Sequence, residues 1–442
     1  MRSIYARQED VERTHRAATI DFLDYVQKLG TSTESFLQGL VSEPPDPDLT
    51  DANRQSLALL RGFWRDLHGF VKPARDADTL HSPVALIEQL EIRLSAIPHL
   101  EGCRLLICHT PEMNYVQYPR SSRQVDADYY ADIVPGAYRF PRKLAIIAIP
   151  YSQDESVFSN IIICHEIGHF VFEELKLQDD LSPYIEASLQ QHFPDTDSET
   201  DLSWCRDRLW SWSEEIYCDR FAIGLIGPAY SFSYMELFDV IGEGTDGSTE
   251  FYDTHPSTAC RFQQHAEQLR SADWWPLLDR DGRSYAEAIR GLEAVPSNQY
   301  MYRSEEKPHL TDKVLDAFRD VLPNIADLVR KTFDGREVRF DQATLFPCVD
   351  LIQHYLSWGV VPSTLVSNKA EYVPDPALLI NAAYLFYLEE LHKLIERIRS
   401  GTGEETDTAV ALRAKWGQRV EQWTMKALED LRFPTGAKIW GS

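Results

Sequence analysis

The sequence predicts an α+β protein that is predominantly helical and carries one small β-sheet. Apolar residues recur at helical spacing through residues 1–100 and again through 271–442. Strand signals begin at Cys103, and the best of them is the β-rich run Leu144 to Ile149. A short motif with helical metal-ligand spacing, His165-Glu166-Ile167-Gly168-His169, follows this run. Three segments are expected: a helical region 1–100, a core 101–270 that holds the chemistry, and a helical region 271–442.

Residues 8–29 show helical spacing at Ile20, Leu23, Val26 and Leu29, with Gly30 as the expected stop. Thr31 and Glu34 fit a capping box that opens a second helix. Ser42 to Asp51, rich in Pro and acidic residues, reads as a loop. Leu57, Leu60, Phe63, Trp64, Leu67 and Phe70 form the stripe of a third helix, and Ser82-Pro83 starts a fourth that ends near Pro98. Strands are expected at Arg104 to Cys108, Tyr115 to Tyr118 and Leu144 to Ile149, the last stopped by Pro150. Ser152 and Glu155 suggest a cap for a helix from Ser152 to Leu175, and Asp201 to about Leu225 is a second long helix. Gly242 to Ser248 reads as a loop, and a helix begins near Pro256. Further helices are expected over Thr311 to Lys331, Leu345 to Trp358, Leu378 to Ile398 and Val410 to Leu431.

Composition narrows the partners. With 44 basic and 69 acidic residues the net charge is −25, which argues against nucleic acid or an anionic membrane as partner. The seven cysteines are scattered without a C-x-x-C pair, the pattern of a reduced, cytoplasmic protein. The charged N-terminal sequence lacks the apolar segment of a secretory signal, and no apolar run reaches the roughly 18 residues of a membrane span.

Positions i and i+4 of a helix share a face, so His165 and His169 can offer ring nitrogens to one metal ion, with Glu166 beside them to accept a proton from water. Gly168 within the motif costs about 1 kcal/mol relative to Ala, which close approach of another backbone would offset. No third His follows at the H-x-x-G-x-x-H spacing, so the third ligand comes from elsewhere. Glu215 is the favoured donor, with Glu214 as competitor. Asp219, one turn beyond Glu215, can accept the N–H of a ligating imidazole. Trp212, one turn before Glu215, is expected to wall the site. His255 and Arg261 flank the next helix start: the imidazole suits an oxyanion, and the guanidinium suits Asp219, Glu215 or substrate. Leu144 to Ile149 can serve as an edge strand for an extended peptide, with an internal strand as the equal alternative. Cys164 and Cys218 flank the motifs and read as small core residues, and His354 and His392 as structural.

The ordered set H-E-x-x-H, E-x-x-x-D and H-P-x-x-x-x-R resembles the gluzincin zinc metallopeptidases, in the branch of the CAAX prenyl endopeptidases and the bacterial heat-shock membrane metallopeptidases. The likeness spans about residues 140 to 265. It implies a gluzincin-like core, Zn2+ held by His165, His169 and Glu215, and Glu166 as general base and acid. It further implies that Asp219 holds a ligand His, and that His255 and Arg261 line the site and assist the transition state. Members of that branch are usually embedded in membranes, and this chain offers no such span. The expected function is a soluble zinc endopeptidase acting on a protein or peptide. Two alternatives are a zinc-binding sensor with gated or lost activity, and a helical interaction protein in which the motif is accidental. The oligomeric state is not encoded in any of these features.

Overall fold

The structure, a computed structural model, describes residues 17–42, 84–110, 115–117, 143–150, 156–194, 198–241, 249–302, 304, 306–337, 342–367, 370–402, 408–431 and 438–440. It is α+β and predominantly helical, with short strands in three small sheets among the described residues, where a single sheet was expected. The expected helix over residues 57–70, the capping box at Ser152 and Glu155, and the loop 242–248 lie outside the described residues.

The chain divides into two compact units, residues 1–84 with 102–155, and residues 85–101 with 156–442. These bounds differ from the three segments expected, because the strand region groups with the N-terminal residues and not with the motif helix.

In the first unit, α1 (Ala17–Ser42) runs without a break through Gly30. The expected capping box does not form. Thr31, Ser32 and Thr33 instead donate their hydroxyls to the carbonyls of Gln27, Lys28 and Leu29 one turn back, so the helix continues. Phe22, Val26 and Leu29 bury one face of α1, which packs on β1 (Arg104–Thr110). The sheet order is β1–β3–β2, with β2 at Val116–Gln117 and β3 at Leu144–Pro150. β1 and β3 are parallel from Arg104 opposite Leu144 to Thr110 opposite Pro150, and β2 is antiparallel to β3. β3 is therefore the central strand and is buried along its whole length, which explains its continuous apolar run. It is paired on both sides, so the internal-strand alternative describes it and the edge-strand reading is corrected.

The second unit begins with α2 (Val84–Ala96) and continues at the motif helix. A 3-10 turn (Ser159–Ile162) leads into α3 (Ile163–Glu174), followed by α4 (Leu177–His192) and α5 (Glu199–Ile226). Ser198 caps α5 by accepting from the Asp201 N–H. From Glu215 to Ile226 every residue of α5 is buried, the pattern of a helix surrounded by others. α3, α4, α7 (Thr258–Ser271) and α10 (Thr311–Phe333) all pack on it. Gly227, at φ 87°, ends α5 in a conformation open chiefly to glycine, and Pro228 follows. Buried Asn381 spans the break into α6 (Ala229–Ile241), donating to the carbonyls of Ile226 and Ala377 and accepting from the Ala229 N–H.

Between α6 and α7, β4 (Glu250–Phe251) pairs in parallel with β5 (Met301–Tyr302), which lies beyond α8 (Trp275–Asp281) and α9 (Arg283–Glu293). The C-terminal part holds α11 (Gln342–Ser357), a sheet of β6 (Leu365–Ser367), β7 (Ala370–Pro374) and β8 (Lys438–Trp440), then α12 (Pro376–Leu385), α13 (Leu391–Thr402) and α14 (Ala409–Asp430). A π turn at Phe386–Glu390 joins α12 to α13 and interrupts the helix expected over Leu378 to Ile398. No described helix is long and apolar enough to cross a membrane.

Candidate metal centre

Where α3 crosses α5, the two backbones come unusually close. A Cβ placed on Gly168 would lie 2.8 Å from the Cα of Cys218, so only glycine fits at that position. This is the close backbone approach expected to offset the helix cost of Gly168. It sets the motif of α3 directly against Glu215 on α5.

The side chains then converge. His165 Nε2 lies 3.3 Å from Glu215 Oε2, and His169 Nε2 lies 3.5 Å from Glu215 Oε1. The opposite ring nitrogens face other carboxylates: His165 Nδ1 is 3.0 Å from Asp219 Oδ1, and His169 Nδ1 is 2.8 Å from Glu214 Oε1. Each imidazole can therefore donate from Nδ1 to a carboxylate, and with a metal bound its Nε2 lone pair would face the centre. Glu214 and Glu215 thus divide two roles. Glu215 joins the cluster with His165 and His169, and Glu214 orients His169 as Asp219 orients His165.

These residues fit a divalent metal. Two imidazole nitrogens and a carboxylate oxygen converge within 4.8 Å of one another. Glu215 Oε2 is buried without a hydrogen bond, although His165 Nε2 and Arg261 Nη1 approach within 3.4 Å. Burial would raise the Glu215 carboxyl, but His165, His169 and Arg261 hold it well below the usual carboxylate range. Burial would likewise lower His165, and Glu215 and Asp219 overcome it and raise the imidazole. The cluster favours a cation, and a metal would bind there by displacing protons.

Asp219 is fully buried and receives several donors. Arg261 on α7 donates from Nε to Oδ2 and from Nη2 to Oδ1, both at 2.6 Å, in a bidentate pair. Arg261 is itself buried, stacks over the Tyr234 ring and lies near Glu215. Of the roles open to it in the sequence, it takes the ion pair with these acids. Its Nε and Nη2 are engaged by Asp219, and its Nη1 lies 3.4 Å from Glu215 Oε2. Tyr230 on α6 donates to Asp219 Oδ1 at 2.5 Å, and His265 Nε2 on α7 lies 3.3 Å from Oδ2. Neither Tyr230 nor His265 was singled out from sequence. His265 is one helical turn beyond Arg261, so the i+4 rule that paired Glu215 with Asp219 points to it as well. Tyr230 sits across the Gly227 break from Asp219, where no spacing rule applies.

His255 lies on the segment between β4 and α7, with its Nε2 3.7 Å from Glu215 Oε1. It is half-exposed, and its Nδ1 is 2.7 Å from Thr254 Oγ1. The segment is tied to α5. Trp212 donates its indole N–H to the Tyr252 carbonyl, and Arg208 and Tyr302 both reach Asp253. Trp212 therefore holds the approach to His255 through its N–H, while its ring packs on Phe251, Tyr302 and Phe318. Glu166 is buried on α3 between His165 and Ile167.

Cys164 and Cys218 are core residues. Burial pushes both thiols up, Cys218 to about 12, the opposite of a reactive thiolate. His354 and His392 lie on α11 and α13 and take no part in the cluster. No family model, curated protein or solved structure matches this chain.

Proposed function

We propose that the protein is a zinc-dependent endopeptidase with a gluzincin-like centre. The observation that carries this reading is the convergence of His165 Nε2 and His169 Nε2 on the Glu215 carboxylate, with Glu166 buried on the same helix. His165, His169 and Glu215 are the ligands. Three protein ligands of this type suit a zinc site that keeps one position for water or substrate. Bound zinc supplies Lewis acidity and lowers the pKa of water.

The chain's own residues do the rest. Glu166 takes a proton from the attacking water and delivers it to the departing amine, so one carboxyl serves as base and then acid. His255, at the exposed side of Glu215, donates to the oxyanion that forms on the attacked carbonyl. Asp219 and Glu214 fix the tautomers of the two ligand imidazoles. Seven free, buried cysteines support a reducing, cytoplasmic setting, and the substrate is a protein or peptide.

Metal analysis of the purified chain, followed by a proteome-wide cleavage assay, tests this. Wild type is expected to hold one zinc per chain. Glu166→Gln is expected to keep that zinc and lose turnover by about 10²–10⁴-fold. Equal cleavage by the two proteins would overturn the role of Glu166.

A further inference from the structure

The crowding around one oxygen of Asp219 goes beyond what a simple orienting carboxylate needs. Oδ1 faces three donors: Arg261 Nη2 at 2.6 Å, the Tyr230 hydroxyl at 2.5 Å and His165 Nδ1 at 3.0 Å. Oδ2 accepts from Arg261 Nε at 2.6 Å, and His265 Nε2 lies 3.3 Å away without a hydrogen bond. A carboxylate oxygen offers about two lone-pair directions, so the donors on Oδ1 compete and His165 holds the longest contact. The Tyr230 oxygen is also 3.3 Å from His165 Nδ1, and the two rings are parallel within 3°. Tyr230 and Asp219 have no exposed surface, so their shares of hydrogen bonding are set within the protein.

The strength of the bond from a ligand imidazole to its carboxylate sets how basic that imidazole is toward a metal. The geometry points to Tyr230 as a positioning residue that draws Asp219 away from His165 and thereby tempers the affinity and ligand field of the metal centre. This inference rests on the metal-binding part of the function proposed above. It fixes a sign that a purely structural tyrosine does not share. Removing the hydroxyl leaves Asp219 with three donors and no orphaned oxygen, and lets the His165 N–H take a larger share of Oδ1. Metal binding should then tighten.

The test uses the full chain, with zinc affinity measured by competition against a chromogenic chelator and the ligand field read from the visible absorption of the cobalt(II)-loaded protein. Tyr230→Phe is expected to bind zinc several-fold more tightly, up to about ten-fold, and to move the cobalt bands to higher energy. Tyr384→Phe is the control. It deletes a buried hydroxyl that bonds Glu236, a carboxylate outside the metal centre, and is expected to leave both readings unchanged. Site-specific 3-fluorotyrosine at position 230 keeps the shape of the ring and makes its hydroxyl a stronger donor, so both readings should move the opposite way. It also preserves the test if Tyr230→Phe does not fold. Unchanged bands in both position-230 variants, or weaker zinc binding by Tyr230→Phe, would overturn the assignment. A wild-type chain that takes up no zinc would overturn the metal reading and this inference with it. That outcome is told apart because it shows before any variant is made.

Discussion

Gly168 shows how a single residue fixes the centre. The nearest atom to an added Cβ is the Cα of Cys218, part of the α5 backbone and unable to rotate away. Ala would gain about 1 kcal/mol of helix propensity, but forcing the helices apart costs about 1–3 kcal/mol, and the rigid neighbour places Gly168→Ala toward the upper end. Denaturant titration should show a net loss of about 1–2 kcal/mol. Zinc affinity should fall with it, because the α3–α5 spacing sets the distance from both histidines to Glu215. Cys218→Ala should not rescue the variant, since the Cα remains. Residues of this kind were legible in the sequence to the extent that helix geometry places them. His165 with His169, and Glu215 with Asp219, are i, i+4 pairs, and His255 and Arg261 stand at the next helix start, where the resemblance added weight to them. The sequence favoured Glu215 over Glu214 only through the Asp partner at i+4, because adjacent residues on one helix differ only in the direction they point. In the structure both face the same histidine, one at each ring nitrogen.

At the scale of elements, the start of the motif helix depends on a distant one. Glu421 on α14 accepts from the Ser156 hydroxyl at 2.7 Å and from the N–H groups of Val157 and Phe158, just before the 3-10 turn that leads into α3. These are the donors that a helix start leaves unsatisfied, here met by a carboxylate from more than two hundred residues away. The expected local cap at Ser152 and Glu155 falls outside the described residues, and no short-range sequence pattern can announce a cap supplied by α14. Burial raises the Glu421 carboxyl, and the three hydrogen bonds only partly offset it. The folded protein therefore holds this proton more strongly than the unfolded chain. That contribution to stability is complete below the ordinary carboxylate range and is lost as pH rises through the raised value. Glu421→Gln keeps an acceptor for Ser156 and does not titrate. The difference in melting temperature, variant minus wild type, should grow from about pH 4 to about pH 7. A difference that stays constant would mean that the carboxyl does not titrate in that window.

The whole molecule carries a net charge of −25 and many exposed carboxylates, so weak surface binding of zinc is expected beside any specific site. Stability provides the discrimination. A ligand that binds only the folded chain stabilises it by about 2.7 kcal/mol at a free concentration of 100 Kd, whereas scattered surface sites that persist on unfolding contribute little. The two compact units make a single melting temperature an ambiguous measure, so hydrogen exchange resolved by segment is the better one. α3, α5 and α7 all supply side chains to the cluster and pack on one another through α5. Their slowest amides, which exchange through opening of the unit that holds the site, should slow by about 100-fold when zinc reaches 100 Kd. A chelator should reverse the effect. β1 and β3, which belong to the other unit, report on it separately. Glu215→Ala removes the ligand common to both histidine contacts, and in that variant zinc should leave α3, α5 and α7 at their metal-free rates. Slowing of equal size in Glu215→Ala would show that zinc acts through the acidic surface instead, and would remove the metal from the centre that the α3–α5 crossing builds.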